Sequence, residues 1–482
     1  MVVPDLSFDG WAEKFASLPD ELMAQHYYYR AQQARLGRVE PWSYYMFPPQ
    51  TFALYGAKHL KRLSFDSSLA ALRMWGFVQN ETERLYRARQ LGMKVVATMG
   101  DLGAVPVLVN AFPGCVPFYP DCTWWTPFVQ ESKVLFDAAT RLGIGDATCY
   151  SRAALGAFAK HSYFPDPDLV VASTGASCDD YSGVEQLAAG IAAETLWVES
   201  PWRKGCATCG TGFAVEPGTR EFLSAEYRRV VERLGRLTGH KPTDADLLAA
   251  IRKTNLVRSK TGRLRDYGYV QAALPALEMM VVEFGCLHYY ADIDEWTNIL
   301  DDLLRTCEQR VRNGERVAAE DALRVVWITP PADPLFLCHF EKRGARIVGT
   351  EYVINQALVP IAERGRPLDA LAGSFLQASL IGSSRERADL AVTQARERGA
   401  EGAVISGILG GSHCAMESHL IAGRVKEALG LPVLQFDVPE PAREVNQQLG
   451  TRIDAFLEVL AGRRSQTGQT SRTRRTSPTG IP

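Results

Sequence analysis

Two blocks of alternating strand-like and helix-like segments constrain the fold of this chain. The first block has three apolar runs that indicate buried strands, namely Val105–Phe112, Leu169–Ser173 and Leu196–Glu199. Helical patterns lie between them at Thr126–Leu142 and Val184–Glu194. Strands that alternate with helical crossovers are typical of a parallel sheet covered by helices. The first block therefore predicts an α/β domain, which we place at residues 94–217.

The same alternation returns after Leu323. The strand-like segments of this second block are Arg324–Ile328, Arg346–Gly349, Gly402–Ser406 and Pro432–Phe436. Its helical segments are Pro334–Arg343, Arg385–Arg398, His419–Leu429 and Arg452–Gly462. We predict a second α/β domain at residues 322–463. The expected fold class is therefore α/β, with two parallel-sheet domains of the Rossmann or flavodoxin type.

Helical patterns without strands cover two further regions. Leu60–Leu91 has apolar residues at helical spacing and predicts helix in an N-terminal region, residues 1–93. Residues 218–321 are predicted to form a helical insert of four long stretches, which are Glu221–Leu237, Ala245–Arg258, Leu277–Ala291 and Asp294–Asn313. Residues 464–482 are mostly Ser, Thr, Gly, Arg and Pro, a composition that predicts a disordered tail.

Composition excludes several classes of protein. The 482 residues are 46% hydrophobic and 22% charged, with a net charge of −2, so no basic surface for nucleic acid is expected. The sequence begins without a signal-peptide pattern and has no apolar run that could span a membrane. We therefore expect a cytoplasmic protein whose ten cysteines are reduced thiols.

Three cysteines, Cys149, Cys178 and Cys414, stand in turns rich in small residues, at points where strands are predicted to end. Ligands of open α/β sheets bind just beyond the carboxyl ends of the strands. Thiolates there are candidate ligands of a soft metal centre, above all an iron–sulfur cluster. The alternative is that they are small buried apolar side chains, which is a frequent role of cysteine thiols.

Four polar residues beside these cysteines are candidates for proton transfer. His413 is the strongest, because histidine ordinarily titrates near neutrality, although a supporting hydrogen bond to the metal site is an equal alternative. Asp179 and Asp180 can instead cap the helix that follows them. Glu417 suits the first turn of a helix, where the dipole favours negative charge.

The remaining cysteines carry weaker signals. Cys206 and Cys209 form a C-x2-C pair, which suits a redox pair or half of a zinc site, but a second such pair is missing from the sequence. We interpret them as a chance pair or a local metal-binding insert. The other five are expected to be core or loop thiols: Cys115, Cys122, Cys286, Cys307 and Cys338.

Segments around the three cysteines resemble the 2-hydroxyacyl-CoA dehydratase / benzoyl-CoA reductase family. The similar segments around Cys149 and Cys178 are Leu142–Ala157 and Phe164–Asp180, and Gly399–Cys414 is similar to the third cysteine segment of the family. The ends of the sequences also resemble each other, at Gly430–Pro439 and Thr451–Glu458. The similarity extends over about residues 40–462, and its specificity comes from the order of the segments.

The resemblance implies that Cys149, Cys178 and Cys414 hold one [4Fe–4S] cluster or, as in some relatives, a double-cubane cluster. It also implies a homologous second subunit or a homodimer, and an ATP-dependent iron–sulfur activator that delivers single electrons at low potential. The implied reaction is anaerobic radical chemistry through a ketyl of an acyl-CoA substrate, in which a dehydratase expels the 2-hydroxyl group.

Other functions stay open at the level of the sequence. A benzoyl-CoA reductase-type subunit would pass the electron into an aromatic acyl-CoA instead. A non-catalytic electron-relay subunit would hold a cluster that never meets substrate. A metal-free small-molecule binding protein would use the cleft between two α/β domains. The sequence leaves the acyl-CoA substrate, the cluster type and the oligomeric state undetermined.

Overall fold

A computed structural model describes most of the chain. The described residues are 1–17, 61–79, 81–99, 103–120, 133–145, 148–162, 164–176, 178–203, 208–209, 212–287, 291–328, 334–351, 359–408, 411, 416–438 and 447–475. Within them, no helix is both long and apolar enough to cross a membrane.

The N-terminal helices lead into a four-stranded, fully parallel sheet whose strand order is β2-β1-β3-β4. The elements of this part are α1 (Phe8–Ala16), α2 (Leu69–Gln79), α3 (Glu81–Gln90), β1 (Lys94–Thr98), α4 (Val105–Asn110), β2 (Cys115–Phe118), α5 (Lys133–Arg141), α6 (Ala153–Lys160), β3 (Leu169–Gly175), α7 (Asp179–Ala188) and β4 (Thr195–Ser200).

A two-stranded antiparallel hairpin and four long helices follow. They are β5 (Thr208–Cys209), β6 (Gly212–Phe213), α8 (Pro217–Thr238), α9 (Asp244–Arg265), α10 (Ala276–Leu287) and α11 (Ile293–Arg312). A capping box starts α9, because the Thr243 hydroxyl accepts a hydrogen bond from the Asp246 N–H while the Asp246 carboxylate accepts one from the Thr243 N–H. The four helical stretches that the sequence predicts in this region are therefore present.

The second sheet is also four-stranded and parallel, with the strand order β10-β9-β7-β8. Its part of the chain contains β7 (Leu323–Ile328), α12 (Pro334–Lys342), β8 (Ala345–Glu351), α13 (Pro367–Phe375), α14 (Ser384–Glu397), β9 (Gly402–Ile408), α15 (Ser418–Leu429), β10 (Val433–Val438) and α16 (Gln447–Arg475). Two parallel sheets with flanking helices confirm the predicted α/β fold class.

Both sheets have the same topology. In each one the second strand lies beside the first at one edge, while the third and fourth strands follow on the other side of the first strand. The chain therefore reverses its direction of travel between the first and third strands of each sheet, and the carboxyl ends of these strands border the crevice where such folds bind ligands.

The predicted strand at the start of the first domain is wrong. Val105–Phe112 is predicted to be a strand, but α4 occupies Val105–Asn110 and is buried. A short apolar run that is buried throughout looks alike as strand or helix, and Pro106 in the first turn favours the helix. The strands of this region are β1 and β2 instead, on either side of α4, and the sequence analysis missed both.

The apolar core of the first sheet contains residues from segments that are distant in the sequence. The core of the first sheet includes residues from α8 and α9 of the insert, and also Leu371, Phe375, Leu376 and Ile381 from the segment around α13. This segment lies within residues 322–463 of the predicted second domain. The guanidinium of the buried Arg203, just after β4, holds the segment by donating to the carbonyl oxygens of Leu376 at 2.7 Å and Ala378 at 2.9 Å.

The last helix extends beyond its predicted end. A helix to Gly462 and a disordered tail from residue 464 are predicted, whereas α16 runs to Arg475. The side chain of Arg464 pairs with Glu401 and donates to the carbonyl oxygen of Ala322 at 3.2 Å, which fastens this stretch to the starts of the central strands β9 and β7. The disordered tail was predicted from its lack of apolar residues, which gives no information about polar contacts such as those of Arg464. Residues 476–482 lie outside the described residues.

Candidate functional site

Cys178 lies at the carboxyl end of β3, as the sequence predicts. β3 ends at Gly175, α7 begins at Asp179, and Cys178 is the half-buried N-cap residue between them. The turn requires glycine at 175, because its φ is +95° and an added Cβ would lie 2.3 Å from the carbonyl oxygen of Ser200. The backbone that presents Cys178 is therefore fixed by the neighbouring strand β4.

Hydrogen bonds hold the first turn of α7 against β3. The Ser182 hydroxyl donates to the carbonyl oxygen of Ser173 at 2.5 Å and to that of Cys178 at 2.9 Å. Asp179 and Asp180 are the first residues of the helix, not its cap, so the capping interpretation is wrong. Their negative charges still suit this position, since a helix N-terminus attracts anions.

Cys149 does not follow a strand, which corrects the prediction. It lies between α5 and α6 and is the residue before a single 3-10 turn, Tyr150–Arg152, that continues directly into α6. The side chain of Cys149 is half-buried, like that of Cys178. The Gly-rich sequence before Cys149 resembles the end of a strand, but the described part of this connection contains no strand.

A buried arginine supports the Cys149 turn. Arg152 is 1% exposed, and its Nη1 donates to the carbonyl oxygen of Thr148 at 2.6 Å. Its guanidinium also lies 4.6 Å from the centre of the Phe136 ring on α5. The conformation of the turn therefore depends on the packing of α5 and α6. No sequence pattern singled out Arg152, because its role depends on contacts that form only in the folded protein.

The structure places the elements that begin at Cys149 and Cys178 against each other. α7 contacts both the 3-10 turn that follows Cys149 and the helix α6. The side chains of both cysteines also pack against the same apolar core of the first sheet. The two half-buried thiols thus share one region at the end of the first domain.

Cys414 and His413 lie outside the described residues. The elements on either side of them are described, since β9 ends at Ile408 and α15 begins at Ser418. Cys414 is therefore in the connection from the third strand of the second sheet to the helix that leads to the fourth strand. Cys178 has the same topological position in the first sheet.

Glu417, close in sequence to Cys414, is engaged in an ion network. Its carboxylate accepts hydrogen bonds from the Ser384 hydroxyl at 2.6 Å and from the fully buried guanidinium of Arg387 at 2.6 Å. Arg387 also pairs with Glu351, at the end of β8, at 3.2 Å. Glu417 thus ties the start of α15 to α14 and, through Arg387, to the end of β8.

Four other cysteines are core thiols, as predicted. Burial raises the pKa of Cys115 and Cys307 to about 12 and that of Cys286 to about 11, and it raises the pKa of Cys338 further still. Burial therefore favours the protonated form of these four thiols at neutral pH. Cys209 is in β5 of the hairpin, while Cys206 and Cys122 lie outside the described residues.

Glu185 is a buried carboxyl group that the sequence analysis missed. It lies on the buried face of α7 and is 0% exposed, whereas Gln186 and Leu187 beside it face solvent. Burial raises the pKa of Glu185 to about 7, and a contact with the Tyr181 hydroxyl only partly opposes this effect. The sequence does contain a signal for this group, because Glu185 stands at a position of the helical pattern where an apolar residue is expected.

The chemistry of the cysteines decides which residues suit a metal. Cys149 and Cys178 combine partial exposure with a position at the start of a helical element, where exposed N–H groups favour a thiolate. Among the described residues, no group of three or more Cys, His, Asp or Glu side chains is arranged to hold a metal ion. Cys414 and His413 are not among these residues.

Comparison with known proteins identifies a family for this chain. The family model of the 2-hydroxyglutaryl-CoA dehydratase D-component matches residues 105–460, which is more than half of the chain and includes Cys149, Cys178 and Cys414. No curated protein matches the chain. The family match confirms the resemblance that the cysteine segments suggested. The chain belongs to the 2-hydroxyglutaryl-CoA dehydratase D-component family.

Proposed function

We propose that this protein is the iron–sulfur subunit of a 2-hydroxyacyl-CoA dehydratase-type enzyme. Cys149, Cys178 and Cys414 are the proposed ligands of a [4Fe–4S] cluster. The observation that carries the proposal is the equivalence of Cys178 and Cys414, each in the connection after the third strand of a parallel sheet. Such connections border the ligand-binding crevices of these folds.

A bound cluster would supply single electrons at low potential and one iron without a cysteine ligand. The residues of the chain would hold and insulate it. The helix N-terminus at Cys178 and the turn fixed by Arg152 would stabilise negative charge on the thiolates. His413, next to Cys414, is the proposed group for moving a proton to or from the substrate.

The partners follow from the family and remain part of the proposal. A component that holds a low-potential cluster needs an electron donor, and we propose an ATP-dependent iron–sulfur activator in that role. We also propose a homologous second subunit or a second copy of this chain. The proposed substrate is an acyl-CoA thioester with a 2-hydroxyl group, because the family is named for the dehydration of such a compound.

Iron content tests the proposal directly. Purified without oxygen, the wild-type chain should be brown and bind about four iron atoms per chain. Cys178→Ser should lose this iron, whereas Cys206→Ser, which removes a thiol of the C-x2-C pair, should keep it. Equal iron contents in the two variants would contradict the ligand assignment, and an iron-free wild type would favour a metal-free binding protein.

Turnover separates the remaining alternatives. With activator and partner subunit present, dehydration of a 2-hydroxyacyl-CoA is the expected activity. Reduction of an aromatic acyl-CoA in place of that dehydration would identify a benzoyl-CoA reductase-type enzyme. A loaded cluster without turnover of either substrate would identify an electron relay.

A further inference from the structure

A buried carboxyl group shares a helix face with a proposed cluster ligand. Counted from Cys178, Tyr181 is three residues and Glu185 seven residues further along α7, a spacing that places all three on one side of the helix. Tyr181 is 1% exposed and Glu185 0% exposed, so this side faces the interior of the first domain. The helix α7 as a whole contacts the 3-10 turn that begins after Cys149.

The protein gives this carboxyl group little compensation for its burial. Apart from the contact with the Tyr181 hydroxyl, neither carboxylate oxygen of Glu185 has a hydrogen-bond partner among the described residues. A buried carboxylate with so little compensation is costly, so such a group binds a proton readily. The helix as a whole does not force this burial, because Gln186, the next residue, faces solvent.

The charged groups around Glu185 are few in the elements packed against α7. β3 carries no ionisable side chain, and the 3-10 turn contributes Tyr150 and Arg152, whose guanidinium is bound to the carbonyl oxygen of Thr148. Lys160 of α6 is exposed to solvent. On α7 itself, Asp179 and Asp180 precede Glu185 by six and five residues, which places them on other sides of the helix.

We propose that Glu185 takes up a proton when a cluster bound by Cys149 and Cys178 is reduced. One electron enters from a low-potential one-electron donor, and one proton from solvent adds to the Glu185 carboxylate, so the buried region gains no net charge. This inference rests on the proposed function, since it requires the cluster. Glu185 acts by compensating the charge of the electron and does not contact substrate, so it is a positioning residue and not a catalytic one.

The protonation state of Glu185 determines the pH range in which the midpoint potential of the cluster should depend on pH. Since burial raises the pKa of Glu185 to about 7, the group is already protonated below that pH in the oxidised protein. Reduction adds negative charge nearby and raises the pKa further. Proton uptake on reduction is therefore confined to a window that begins near pH 7, and only there should the midpoint potential fall as the pH rises.

A redox titration of the cluster tests the inference. The midpoint potential of the wild type should be constant on the acid side and fall with pH above about 7, a value set by desolvation of the group. Glu185→Gln should bind the same amount of iron and lose this slope. Glu194→Gln is the matched control, because Glu194 is exposed and paired with Arg233, and it should keep the slope. Tyr181→Phe should move the slope to higher pH, since the hydroxyl favours the ionised carboxylate.

Infrared difference spectra give a second readout that needs no turnover. Reduction near pH 8 should produce the carbonyl band of a protonated carboxyl group in the wild type, and Glu185→Gln should lack it. A cluster of normal iron content with an unchanged slope in Glu185→Gln would overturn this inference alone. A wild type that binds no iron would overturn the proposed function and this inference together.

Discussion

The two α/β domains share a topology but differ in what they place at the carboxyl ends of their strands. The first domain has the half-buried Cys178 there, on a helix that contacts the turn after the half-buried Cys149, and the buried carboxyl group of Glu185, which has no ionic partner among the described residues. At the corresponding end of the second sheet, Glu351, Arg387 and Glu417 form a compensated ion network beside the connection that contains Cys414. The second domain thus neutralises its buried charges with an ion network, whereas the first leaves the buried Glu185 without an ionic partner among the described residues.

Removing the central arginine of the network should have the largest effect on stability. Arg387→Met would leave Glu351, which is 1% exposed, without its buried partner. Breaking one side of a buried ion pair typically costs about 3–5 kcal/mol of unfolding free energy. Chemical denaturation of the variant measures the loss.

The double variant Glu351→Gln/Arg387→Met is the control for this prediction. It removes the stranded charge, so its unfolding free energy should recover part of the loss. If the single variant were as stable as the wild type, the second domain would not depend on an ionic frame and the contrast between the domains would fail.

Crowding between α5 and α6 should have the next largest effect. A Cβ on Gly156 of α6 would lie 2.1 Å from the carbonyl oxygen of Leu135 on α5, so Gly156→Ala must separate the helices that frame Cys149. Overpacking of this kind costs about 1–3 kcal/mol. We expect lower stability in denaturation together with reduced iron binding.

Gly183→Ala is the matched control for Gly156→Ala. Gly183 lies within α7 of the same domain, and an added Cβ there meets nothing within 4 Å. Alanine in a helix interior should leave stability unchanged or raise it by about 0.5–1 kcal/mol. Equal losses from both substitutions would mean that the close approach of α5 and α6 is unimportant for the Cys149 turn.

A buried carboxyl group in the second domain predicts a gentler, pH-dependent effect. Burial raises the pKa of Glu341 on α12 to about 8, while a hydrogen bond from the Ala276 N–H at 3.0 Å partly opposes this. The folded protein then holds a proton that the unfolded chain releases above its ordinary pKa. This contribution to stability is complete below that ordinary value and is lost as the pH rises to about 8, by about 1.4 kcal/mol per pH unit at most.

Glu341→Gln should remove this part of the pH dependence. Thermal unfolding at several pH values would show a flatter profile between mildly acidic and mildly basic pH, with the largest gain in relative stability on the basic side. An identical profile for variant and wild type would indicate that Glu341 ionises normally. Glu185→Gln offers the comparison in the first domain, over a window that ends near pH 7.

The sequence predicted the parallel-sheet architecture well where local signals were strong. Short apolar runs that alternate with helical patterns revealed β3, β4 and the four strands of the second sheet close to their observed bounds. It failed at β1, β2 and α4, because short, wholly buried segments have no periodicity that separates strand from helix. Long-range packing decides those cases.

The candidate site was predicted in part for the same reason. Cys178 follows a strand with a clear pattern, so its place at the end of β3 could be predicted from its neighbours. The helical surroundings of Cys149, its support by Arg152 and the pairing of Arg387 with both Glu351 and Glu417 depend on residues distant in sequence. A single sequence contains no local signal for such partners.

Thiol protection tests most directly whether both domains hold one cluster. The chain is alkylated before and after anaerobic iron–sulfur reconstitution, and the modified peptides are quantified by mass spectrometry. We predict that Cys149, Cys178 and Cys414 become protected together on reconstitution and reactive together after iron is chelated, while the buried Cys286 and Cys307 stay unreactive throughout. Protection of the first-domain pair without Cys414, or of none of the three, would contradict the shared cluster.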